Sequence, residues 1–133
     1  MSGEKILIVE DSPTIKEMVI AIIKAEGFAF EWTDSITTAI EILETGTVDL
    51  VLSDIILTES SKTGYDLLKY VKDSKVHSSI PVILMSDKRD KERARKVALF
   101  RGASEFVSKP FQPEALVEVI YRILASKKNP ENQ

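Results

Sequence analysis

Five side chains in this sequence could do chemistry together: Glu10 and Asp11, Asp54, Ser86 and Lys109. Each follows a run of largely aliphatic residues, KILIV before Glu10, VDLVLS before Asp54, PVILM before Ser86 and EFVS before Lys109. Carboxylates gathered within a few ångströms repel one another unless they share a cation. An all-oxygen donor set that leaves positions to water suits Mg²⁺ better than zinc. An ammonium and a hydroxyl opposite the acids offer a phosphoryl group a point charge and a hydrogen-bond donor. Such a site can hold an aspartyl phosphate.

These residues are useful only if the chain brings their runs side by side. Strand-like runs of four to six apolar residues recur along the sequence and alternate with amphipathic stretches. Ser12 followed by Pro13 reads as a helix cap and first helical residue. Ile15, Met18, Val19, Ile22 and Ile23 then repeat at helical spacing up to Gly27. FAFEWT (Phe28–Thr33) predicts a second strand, with Phe28, Phe30 and Trp32 as packing. Asp34 or Ser35 caps a helix carrying Ile36, Ile40 and Leu43. VDLVLSD (Val48–Asp54), PVILMS (Pro81–Ser86) and EFVS predict three more strands. Helices are expected with Leu67, Leu68 and Val71 facing inward, from about Asp90 to Phe100, and from Pro113. Strands buried on both sides and alternating with helices specify a doubly wound five-stranded parallel α/β sheet with helices on both faces. Ligands of such a sheet bind beyond the carboxyl ends of its strands.

The bulk numbers fit one domain spanning 1–133, with a core over about 4–126 and a flexible tail at 127–133. The chain has 133 residues, 44% hydrophobic and 29% charged. No run approaches the roughly 18 apolar residues of a membrane span, so a cytoplasmic address is expected. The absence of cysteine excludes disulfides, thiolate chemistry and cysteine-ligated zinc. A net charge of −3 argues against direct nucleic-acid binding. The run DKRDKERARK reads as a solvated helix face with i,i+4 pairing, and His77 as an exposed loop residue.

ILIVEDS, VDLVLSDI, PVILMS and GASEFVSKPF stand in an order and spacing that resemble the receiver domains of two-component response regulators over nearly the whole chain. The resemblance implies the flavodoxin-like strand order 2-1-3-4-5. It further implies phosphorylation of Asp54, with Mg²⁺ held by Asp11, Asp54, the backbone carbonyl of Ile56 and, through water, Glu10. Ser86 and Lys109 would contact the phosphoryl group, Phe106 would be a switch aromatic turning inward, and Lys109–Pro110 would be a cis peptide. The implied partners are a histidine kinase or phosphotransfer protein and a downstream protein on the face of the fourth helix, fifth strand and last helix, with a homodimer as a further option. The domain would be no enzyme beyond catalysing its own phosphorylation and dephosphorylation.

The sequence departs from the pattern mainly in the loop DIILTESSKTGYD. Thr58 stands where the family commonly has proline, and Gly64 falls ten residues beyond Asp54 rather than eight, as if two residues were inserted. Such a loop is expected to be more mobile. Asp87 adds negative charge beside Ser86, and Ile56 and Lys88 occupy the positions that tune water access to the phosphate. These departures leave a rival, a pseudo-receiver scaffold with weak or no phosphorylation. A second rival, a phosphatase working through an aspartyl phosphate, needs an acid two residues beyond the nucleophile, where this chain has Ile56.

Overall fold

The computed structural model describes residues 3–58, 61–87 and 89–128. Strands β1 (Lys5–Val9), β2 (Ala29–Thr33), β3 (Leu50–Asp54), β4 (Val82–Ser86) and β5 (Glu105–Ser108) alternate with helices α1 (Pro13–Ala25), α2 (Ile36–Thr45), α3 (Gly64–Asp73), α4 (Lys91–Phe100) and α5 (Pro113–Lys128). Every ladder is parallel and the strand order is β2-β1-β3-β4-β5, as expected. Among the described residues, no helix is long and apolar enough to cross a membrane.

Local chemistry sets the helix ends. Ser12 Oγ accepts from the Ile15 N–H with Pro13 opening α1, and Gly27 closes that helix at φ +82°, a conformation that disfavours a side chain. Ser35, not Asp34, caps α2 by accepting from the Thr38 N–H. Thr63 and Asp66 form a reciprocal capping box at α3, and Asp90 caps α4.

Alternation along the strands divides the core in two. Leu7, Val9, Val51, Val82, Leu84 and Phe106 join inward residues of α2, α3 and α4, among them Leu67, Leu68, Val71 and Ala98. Ile6, Ile8, Leu50, Leu52, Ile83, Met85 and Val107 join α1 and α5 through Val19, Ile23, Leu116, Ile120 and Leu124. Full burial of each such aliphatic side chain stabilises the fold by about 1.5–3 kcal/mol before entropy is counted. Phe28, Phe30 and Trp32 pack on the α1/α5 side, as read from sequence.

Several details differ from expectation. β3 starts at Leu50 rather than Val48, and Asp49 at its mouth accepts the Lys5 N–H at 2.8 Å. Ala39 rather than Ile40 supplies the inward middle position of α2. α5 runs to Lys128, and Lys127 is no part of a loose tail: its Nζ donates to the Asp49 carbonyl at 3.1 Å and lies 3.8 Å from the Asp49 carboxylate. His77 is half-buried, its N–H on Ser74 Oγ at 3.0 Å and its ring 6.2 Å from that of Tyr70. The charged run is exposed along α4, but Arg95 pairs across to Glu105 on β5 rather than along its own helix.

Candidate functional site

Parity explains why three of the five chemical residues meet. Glu10 continues the alternation of Ile6 and Ile8, Asp54 that of Leu50 and Leu52, and Lys109 that of Val107, so all three emerge on the α1/α5 side of adjacent strand ends. Lys109 Nζ lies 3.0 Å from Asp54 Oδ2 and 3.3 Å from Glu10 Oε1. Glu10 is fully buried, Asp54 is 6% exposed and the Lys109 side chain is 11% exposed. Burial pushes the Glu10 and Asp54 carboxyls above their ordinary values, against the opposing pull of Ser12 and Lys109. Burial tends to lower Lys109, but hydrogen bonding and charge from Asp54 and Glu10 outweigh it and hold the amine above its usual value. Two buried acids share one ammonium, so the pocket keeps an excess of negative charge.

Asp11 completes the cluster from a half-exposed position. One carboxylate oxygen each of Glu10, Asp11 and Asp54 lies within 4.8 Å of the other two. Opposite ligands of an octahedral Mg²⁺ stand about 4.2 Å apart, so small inward movements let these hard oxygen donors share one ion. Donor type, spacing and uncompensated charge fit Mg²⁺. Asp11 Oδ2 also accepts the Thr58 N–H at 2.5 Å, a donor that proline at that position would lack. Thr58, at the start of the long loop, is thereby tied to the acidic cluster.

Gly64 packs on the backbone at the end of β3. Its N–H bonds the Ile55 carbonyl at 2.8 Å, and a Cβ placed on it would lie 2.4 Å from the Asp54 carbonyl oxygen. A glycine is needed there because the start of α3 presses on the end of β3. Ile56 stands just past Asp54 and is 54% exposed. The position of Lys88 lies outside the described residues.

Ser86 and Phe106 occupy the opposite face. Ser86 is buried and pairs in register with Ser108, and Leu84 pairs with Phe106, so the hydroxyl and the ring share one face of neighbouring strands. Phe106 is already 6% exposed, inside the α2–α4 cluster. The Lys109 N–H bonds the Ser86 carbonyl at 2.8 Å, and Lys109–Pro110 is cis.

Residues 6–121 match the response regulator receiver domain family. The chain belongs to that family. It is 32% identical over 122 residues to the phosphate regulon transcriptional regulatory protein PhoB of Escherichia coli, covering 92% of this chain but 52% of PhoB, so the receiver spans about half the length of that relative. It is 32% identical to the two-component response regulator ORR5 of Oryza sativa subsp. japonica, over 90% of this chain and 87% of that one. The signal receiver domain of a histidine kinase from Syntrophus aciditrophicus superposes with a TM-score of 0.82 at 31% identity, over 93% of this chain and 92% of that one. The receiver's flavodoxin-like fold is shared with these structures.

Four interactions were not expected from the sequence. The Trp32 indole donates to the Glu10 carbonyl, the Thr58 amide donates to Asp11, and Arg95 and Arg122 both bind the buried Glu105. None follows a periodic pattern, because each pairs a side chain with a backbone atom or with a charge on a distant element. The one local signal was a carboxylate, Glu105, at a strand position that alternation makes internal.

Proposed function

We propose that this receiver accepts a phosphoryl group on Asp54 from the phosphohistidine of a histidine kinase or phosphotransfer protein, or from a small acyl phosphate. The Asp54 carboxylate attacks phosphorus, the bond to the donor nitrogen or oxygen breaks, and the donor leaves with that electron pair. Lys109, between Asp54 and Glu10, would neutralise charge on the transferred oxygens, and Ser86 would donate a hydrogen bond to one of them. Mg²⁺, held by Asp11, Asp54, the Ile56 carbonyl and, through water, Glu10, would supply further charge neutralisation when bound. The observation that carries the reading is the buried Lys109 ammonium bridging Asp54 and Glu10 beside Asp11. A scaffold has no use for so costly a set of charges.

Output runs through α4, β5 and α5. Drawing the Ser86 hydroxyl toward a phosphoryl group frees space on the face it shares with Phe106, whose ring repacks and biases a two-state surface toward a partner protein. The exposed Phe100 and the cationic side chains of α4 belong to that region. The partner is a separate protein or a second copy of this chain, not nucleic acid, and the setting is cytoplasmic. The receiver catalyses no reaction besides its own phosphorylation and dephosphorylation, since the apolar Ile56 stands where a phosphatase needs an acid.

Incubation with Mg²⁺ and acetyl phosphate, followed by intact-mass spectrometry, tests this. One phosphoryl adduct that disappears in Asp54→Asn supports the switch. No adduct supports the scaffold, and turnover of an external phosphoester supports the enzyme.

A further inference from the structure

Trp32 lies on the edge strand β2, yet its indole Nε1 donates a 2.8 Å hydrogen bond to the backbone carbonyl of Glu10. The ladder explains why that carbonyl is available. Ala29 donates to the Glu4 carbonyl and Glu10 to the Thr33 carbonyl, both at 3.1 Å, an offset that makes Ser35 the next donor to Glu10. The Ser35 N–H, at the N-cap of α2, is turned instead onto Thr33 Oγ1 at 3.2 Å. The indole replaces the missing rung.

That carbonyl belongs to the planar peptide unit joining Glu10 to Asp11, so its orientation sets how the two acids are presented to one another. The other polar atoms of Glu10 are held as well: Oε2 by the Ser12 N–H at 3.0 Å, Oε1 by Lys109, and the N–H by Thr33. Lys16 Nζ lies 3.7 Å from the centre of the Trp32 ring, so α1 clamps the ring while its N–H is aimed at the acids' peptide.

We propose that Trp32 is a positioning residue for divalent-cation capture: its indole N–H fixes the peptide between Glu10 and Asp11 so that both carboxylates face one ion. This rests on reading the acidic pocket as a Mg²⁺ site and adds to it a residue outside the pocket.

The test is titration of ¹⁵N-labelled protein with Mg²⁺, followed by NMR. Trp32 is the only tryptophan, so its indole N–H gives a single resonance. In the wild type the indole and the Asp11 amide shift together with one midpoint. Trp32→Phe keeps a ring beside Lys16 but no donor, and its Asp11 and Asp54 amides titrate at about 3–10-fold higher Mg²⁺, the scale of one neutral hydrogen bond. Lys16→Met, which keeps the donor, shifts the midpoint less. A merely structural tryptophan would lower the unfolding temperature of Trp32→Phe and leave the midpoint unchanged, which overturns the proposal. So does an indole resonance that stays still while the Asp11 amide moves, a result that needs no variant. A wild type that takes up no Mg²⁺ sinks the reading of the pocket itself, and the positioning role with it.

Discussion

Asp54 is held at a cost to the fold. Its carboxyl and that of Glu10 are raised by burial, so the folded chain binds these protons more tightly than the unfolded chain does. Stability from this pair therefore falls as pH rises through the raised values. Asp54→Asn is expected to raise the unfolding midpoint of the metal-free protein by roughly 3–5 °C near neutral pH, the scale of about 1 kcal/mol in a chain of this size. The gap between variant and wild type narrows as pH falls through the raised Asp54 value, and calorimetry against pH checks both statements. Gly64→Ala acts in the opposite direction. Its Cβ meets the Asp54 backbone, so we expect about 1–3 kcal/mol of destabilisation in urea unfolding. Ile56 offers no hydrogen bond to an attacking water, and an aspartyl phosphate lasting longer than seconds is expected, with Ile56→Asn shortening it. Phosphate release follows both rates, and a wild-type half-life of seconds would defeat the argument.

At the scale of elements, Glu105 is the tie between α4, β5 and α5. It is buried, its Oε1 accepts the Phe106 N–H at 2.9 Å, and it pairs with Arg95 from α4 and Arg122 from α5. Burial alone would raise its carboxyl, but the Phe106 N–H and the two arginines outweigh this and hold it below its ordinary value. Its contribution is thus present above the unfolded-state value and lost as pH falls through the lowered folded value. Glu105→Gln should flatten the acid limb of the stability profile and leave the neutral limb's shape unchanged. The element pattern was readable because caps such as Ser12 and Pro13 and the period of the apolar residues are local signals. The arginine bridges were not, because sequence spacing carries no record of which charges on separate helices converge on one buried acid. The same holds for Trp32, which reads as packing until its N–H is seen on Glu10.

Taken as a whole, the molecule divides its polar strand-end residues by strand parity. The acids and Lys109 lie on the α1/α5 side, whereas Ser86 and Phe106 lie on the side of α2 to α4. The charged cluster was legible because each member ends an apolar run, and a parallel sheet delivers all strand ends to one edge. The inward starting position of Phe106 was not, since a short-strand aromatic reads the same whether it faces in or out. A crystal structure with Mg²⁺ and beryllofluoride tests whether Asp54 is the phosphoacceptor beside a bound ion. Beryllofluoride is expected on Asp54 in contact with Lys109 and Ser86, with one ion bound by Asp11, Asp54 and the Ile56 carbonyl. Beryllofluoride on another residue, or Asp54 unmodified with the acids still closed on Lys109 at saturating Mg²⁺, would contradict that assignment.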